Sequence, residues 1–145
     1  MSTFAHFEDI ETWKIARELS HLVYNLSGKG TFSKDFGLRD QVRRAAVSVM
    51  SNIAEGFENQ TQAQFVRYLK LAKGSAGEVR SQAYLSLDLQ YIRPDEFRTL
   101  FDLADKPALQ SARFIAYLES HPQPTVCAKI QFLMRSDVPT CQHPG

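Results

Sequence analysis

Two groups of residues in this chain have types and spacings that could do chemistry. The first lies in "QVRRAAVSVMSNIAEG", where Arg43 and Arg44 are followed by Asn52 and Glu55. Two guanidiniums, an amide and a carboxylate on one helix could hold a ligand or substrate, or lock that helix to a neighbour. The second group is Lys70, Lys73 and Arg80 with Tyr84 and Tyr91. Cations in such a row meet phosphates, and interleaved tyrosines stack on exposed bases. Reaction machinery is harder to find. Glu55 and Glu58 have no nucleophile or cleft to serve as an acid/base pair, and no Ser/His/Asp set, phosphate loop or HExxH occurs. His6 and His21 stand alone. The chain is expected to be no enzyme and to need no cofactor.

Helices must position both groups. From about Asp9 to Leu26, the residues Ile10, Trp13, Ala16, Leu19, Val23 and Leu26 recur every three or four positions. Asp9 is the expected N-cap and Ser27-Gly28 the stop. A second helix runs from about Asp35–Leu38 to Phe57. Its apolar arc is wide, roughly 200° at about 100° per residue, so it needs cover on more than one side. Arg43 falls inside that arc and must reach water or meet a carboxylate. Arg44 falls on the polar face with Ser48 and Asn52. A third helix opens at Thr61, with Gln64 completing a capping box, and extends to about Tyr91. Beside its main core stripe runs a shorter one of Leu71, Leu85 and Leu89. That stripe includes Glu78, the expected partner of Arg43. Gly74 and Gly77 weaken the helix by about 1 kcal/mol each but allow close approach of a neighbour. A fourth helix starts at Pro94, with Asp95 and Glu96 in its first turn, and ends near Ser120. Pro107 should kink it or split it in two.

The resulting fold class is all-α, an antiparallel up-down four-helix bundle over residues 1–120. Residues 121–145 hold four prolines and no sustained period, and are expected to form a mostly disordered tail.

The totals exclude several classes. Of 145 residues, 43% are hydrophobic and 23% charged, which is ordinary for a globular domain. No run approaches the roughly 18 apolar residues of a membrane span. The start lacks the basic and apolar regions of a secretory signal, so a cytoplasmic location is expected. The net charge of +1 is too even to announce nucleic-acid binding, but the charge is segregated. Residues 61–92 carry four cations against two anions, while residues 1–30 and 93–121 are each one unit negative. Cys127 and Cys141 form no short-spaced zinc pair. Cys141 and His143 with His121 offer donors in principle, yet free thiols are the plainer reading and no metal is expected.

The stretch "LRDQVRRAAVSVMSNIAEGFENQTQAQFVRYLKLAKGSAGEVRSQAYLSLDLQYI" resembles the four helix bundle protein family, also called the 23S ribosomal-RNA intervening-sequence protein family. The shared pattern is an arginine pair, a small apolar run, Asn-Ile-Ala-Glu-Gly, then an aromatic-rich helix with Ala-x-Gly-Ser-x-x-Glu. It falls here on Arg43, Arg44, Asn52 to Gly56, Phe65, Tyr68, Leu69, Ala72, Gly74, Ser75 and Glu78. Trp13 in "FEDIETWKIARELSHLVY" extends the likeness, which covers roughly residues 7–118. The resemblance implies a left-handed antiparallel bundle, usually in a ring of five subunits, and no catalytic activity follows from it. A related branch serves diversity-generating retroelements, binding nucleic acid through a basic surface and contacting a reverse transcriptase. Pro107 and the tail depart from the pattern.

The polar motif of Arg43, Arg44, Asn52, Glu55 and Glu78 reads first as a set of locks. Arg43 would pair with Glu78, and Asn52 and Glu55 would bond loop backbone or a neighbouring subunit. For the second group, Lys73, Arg80, Tyr84 and Tyr91 fall within about 40° on a helical projection, with Lys70 close by. Its competing reading is a solvated face of amphipathic tyrosines, into which Asp88 intrudes. The expected partners are copies of the chain itself and RNA or DNA. The alternative is a scaffold role for a protein such as a reverse transcriptase.

Overall fold

Local signals set most of the helix ends in the computed structural model, which describes residues 6–59 and 61–121. Beyond His121 the expected tail, with Cys127, Cys141 and His143, lies outside the described residues. A 3-10 turn over Phe7–Asp9 precedes α1, Glu11–Ser27, so Asp9 belongs to that turn and does not cap the helix. Asp35 caps α2, Phe36–Glu58, its carboxylate accepting from the Leu38 N–H at 3.1 Å. Thr61 caps α3, Gln62–Asp88, its hydroxyl accepting from the Gln64 N–H. Pro94 opens α4, Pro94–Ser120, where a proline lacks an N–H that would go unpaired anyway. The helix runs through a buried Pro107 as a single element, not as two.

The helices form an antiparallel bundle in which each lies against the next and α4 closes against α1. The direction is visible in paired contacts that run oppositely in sequence. Ser20 meets Met50 while Ser27 meets Arg43, and Lys70 meets Glu119 while Arg80 meets Asp105. The core follows the periodic residues: Leu19 and Val23 from α1, Val49 and Ile53 from α2, Phe65 and Leu69 from α3, Phe114 and Leu118 from α4 are all essentially inaccessible. Fully burying each such side chain contributes roughly 1.5–3 kcal/mol.

The α2–α3 hairpin is tight. A Cβ built on Gly56 would stand 2.8 Å from the Tyr68 Cβ and 3.3 Å from the Phe65 ring. Neither helix can hold this crossing with a side chain at position 56.

Arg43 corrects one expectation. It does not pair with Glu78 but turns to α1, where its Nε donates to the buried Ser27 hydroxyl at 2.8 Å. Its guanidinium lies 4.5 Å from the Tyr24 ring centroid. The cation thus sits at the carbonyl end of α1, where the helix dipole favours it. The physical reason is geometric. A helix in a four-membered ring has two neighbours, and Arg43 shares its flank with Met50, which faces Ser20 of α1. Glu78 belongs to α3, on the other side.

A double-mutant cycle in chemical denaturation should show this choice. Arg43→Met and Ser27→Ala should couple by roughly 0.5–3 kcal/mol, whereas Arg43→Met and Glu78→Gln should add within about 0.5 kcal/mol. Coupling to Glu78 alone would contradict the assignment.

Candidate nucleic-acid interface

On the opposite edge of α3, residues ten positions apart converge on one feature. Lys70, Lys73 and Arg80 line an open groove of about 420 Å³ between α3 and α4, floored by Gly74, Ala112 and Ile115. The groove exists because of residue size. Gly74 has open space where a side chain would be, and alanine faces it from α4, so nothing fills the gap between the two helices.

An ion pair stands at each end. Lys70 Nζ lies 3.2 Å from Glu119 Oε1, with both side chains more than half exposed. Arg80 Nη1 donates to Asp105 Oδ1 at 2.9 Å, and its Nε–H is buried without an acceptor. Lys73, between them, has no ion pair among the described residues. Arg80 also lies 5.9 Å from the Phe101 ring centroid. One turn further along α3, the ring of Tyr84 packs against Phe97 at 4.9 Å and Phe101 at 5.9 Å. Tyr84 nevertheless stays 53% exposed.

Tyr91 does not join this group. The helical projection that put it there assumes a longer helix, and α3 stops at Asp88. Gln90 adopts φ +60°, the Tyr91 N–H bonds the Ser86 carbonyl and the Gln90 N–H bonds the Leu87 carbonyl. This is the Schellman closure usually built on glycine. Tyr91 then stacks on Phe32 at 5.2 Å and donates its hydroxyl to Asp35 at 3.0 Å. That hydrogen bond to the carboxylate holds the Tyr91 phenol above its ordinary pKa. Lys70, Lys73 and Arg80 are therefore brought together with Tyr84 alongside, and Tyr91 is elsewhere. Sequence reasoning passed over Phe97, Phe101 and Asp105, which recur every four residues along α4. That spacing on one face was the available signal.

Apart from Arg43, the polar motif lies along a separate seam between α2 and α3. The Ser48 and Ser75 hydroxyls bond at 2.9 Å. Asn52 does not reach loop backbone; its Nδ2 donates to the Ser48 carbonyl at 2.8 Å and to the Ser48 hydroxyl at 2.9 Å. Arg44, not Arg43, shares a pocket of about 150 Å³ with Glu78, together with Gln41, Ser48 and Ser75. Glu55 likewise binds no loop backbone through its carboxylate, which accepts from the Tyr68 hydroxyl at 3.0 Å. This bond raises the Tyr68 phenol above its ordinary pKa. The seam holds one helix to the next. Among the described residues no group of three or more His, Cys, Asp or Glu side chains could hold a metal ion.

In chemical terms the α3–α4 groove offers three cations, an apolar floor and an aromatic shelf, a combination suited to holding an anion with a flat ring attached.

No helix among the described residues is long and apolar enough to cross a membrane. No curated protein matches the chain. A solved structure from Bacteroides thetaiotaomicron, described as a protein of unknown function from the S23 ribosomal protein family, is similar in fold. It superposes with a TM-score of 0.66 at 20% identity, covering 72% of this chain and 97% of that one. Residues 8–109 match the 23S rRNA-intervening sequence protein family, a span that takes in the arginine pair and the Asn-Ile-Ala-Glu-Gly segment of α2 as well as the whole of α3, and the chain belongs to that family.

Proposed function

We propose that this protein is a non-catalytic bundle that binds RNA or DNA through the α3–α4 groove and assembles with copies of itself. The observation that carries the binding half is the convergence of Lys70, Lys73 and Arg80 on one groove, spread over about 15 Å of α3. The pairing with Glu119 is an exposed ion pair, a class whose median stabilisation is only about 0–1 kcal/mol, so a phosphate can take that carboxylate's place. Arg80 is held by Asp105 through Nη1 and has its Nε buried, so Nη2 is the nitrogen left to meet a phosphate.

The assembly half rests on the outer edge of α3 and the Leu89 that follows it. Leu71, Leu85 and Leu89 are each nearly half exposed there, with Val47 of α2 also open to solvent. The wide arc of α2 is otherwise covered within one chain, since Leu38, Met50, Ala54 and Phe57 pack against the core. Leu71 and Leu85 lie two heptads apart and Leu89 four residues further on, so all three fall on one side of the chain, and a second copy would bury them. Five copies is the number that the family resemblance favours. A ring would repeat the groove and strengthen a weak single site through multivalency.

Two measurements test these halves. Fluorescence anisotropy with labelled RNA and DNA should show salt-sensitive binding by the parent. Replacing Lys70, Lys73 and Arg80 together by alanine should abolish most of it and flatten the log–log salt slope by about 2–3. A variant that binds as the parent does would remove the groove as the site. Light scattering should give a multiple of the chain mass that falls to the monomer in Leu71→Glu/Leu85→Glu. A stable parental monomer at micromolar concentration would remove self-assembly, and specific recovery of a reverse transcriptase by that monomer would favour the accessory-subunit reading.

A further inference from the structure

The groove and its aromatic end together restrict the form of nucleic acid. We infer that the α3–α4 groove takes a single strand, with phosphates along Lys70, Lys73 and Arg80 and one base laid on the exposed ring of Tyr84. This inference rests on the binding function proposed above and narrows it. The cations follow one helix edge in a single line, and Tyr84 continues that line one turn beyond Arg80. From Lys70 to Tyr84 the row covers about 21 Å. A single backbone can follow such a line and turn its bases toward the same side.

The tyrosine separates the two forms of ligand. In a duplex the base faces are covered by their neighbours, whereas an unpaired strand presents them to aromatic side chains. Tyr84 is built as a fixed shelf. Phe97 at 4.9 Å and Phe101 at 5.9 Å brace its ring, while 53% of the residue stays open to solvent. A ring held in place before binding loses little freedom when a base settles on it. Arg80 joins the two parts, bonding Asp105 in the groove and lying over Phe101 in the aromatic cluster.

The stacking face carries no charge and is common to RNA and DNA, so both single strands are predicted ligands. Parallel titrations with oligouridylate and oligothymidylate measure each arm.

Anisotropy titrations of the full chain, at one fixed salt concentration, compare a short labelled single strand with a duplex of the same length. The single strand should bind more tightly. Tyr84→Ala should weaken single-strand binding by roughly 5- to 150-fold, the range for one stacked base. It should leave the salt slope unchanged, because no cation is lost. Tyr84→Leu keeps side-chain bulk against Phe97 and Phe101 while removing the π-face, and should show a similar loss in a chain of parental thermal stability. Tyr84→Phe should bind as the parent does. The inference is overturned if the duplex binds as tightly as the single strand, or if Tyr84→Leu binds the single strand normally. In both cases a loss of binding in the charge-row variant would leave the broader binding function standing. Absence of parental binding to either form would overturn both.

Discussion

The crossing of α2 and α3 at Gly56 is the constraint on which the rest of the molecule depends. Only a hydrogen fits between that backbone and the Tyr68 Cβ, because a side-chain carbon would stand at 2.8 Å, a separation real Cβ contacts essentially never show. The neighbouring atom is itself a Cβ and not the flexible end of a side chain, so relief would require the backbone to move. Packed interiors respond poorly to such a demand, and an extra carbon in a filled space typically destabilises by about 1–3 kcal/mol. The crossing therefore fixes both the separation and the axial position of α3 against α2.

Other contacts follow from that register. With Gly56 against Tyr68, Ser75 comes opposite Ser48, and their hydroxyls meet at 2.9 Å. Ala72, Ala76 and Ala83 then line the buried face of α3 and keep it close to the core. One helix edge is left to carry the leucines and the other to carry the cations. The groove beside α4 is a consequence of the same economy of side chains: Gly74 and Ala112 are too small to close it. The pairs Lys70–Glu119 and Arg80–Asp105 brace its ends without filling it.

Much of this was legible in the sequence where the deciding physics is local. Asp35, Thr61 and Pro94 mark helix starts through their own side chains or ring, and the three-and-four spacing of Leu19, Val23, Phe65 and Leu69 reports burial. The failures came where two chemically equivalent choices differ only in tertiary placement. A projection of α2 shows that Arg43 needs a partner but not which neighbour supplies it, and here α1 does so through Ser27. Arg44, one residue on and 100° around the helix, is the arginine that faces Glu78 across the seam. The end of α3 was missed for a different reason. Glycine is the usual residue for a left-handed closing position, and this helix closes with Gln90 at φ +60°, which gives no compositional warning. The extra turn assumed there swept Tyr91 onto a face it does not share.

Two of the glycines in the hairpin's helices, Gly56 and Gly74, allow the most direct test of this account. Gly56 has no room for a side chain and Gly74 has open space around it, although both lie in helices, where alanine is intrinsically favoured by about 1 kcal/mol. Equilibrium denaturation of Gly56→Ala and Gly74→Ala should therefore give opposite signs. The first should lose about 1–3 kcal/mol of stability, and the second should gain about 0.4–1 kcal/mol. If Gly56→Ala were as stable as the parent, α3 would be free to shift against α2, and neither edge of that helix would be held where this account requires it.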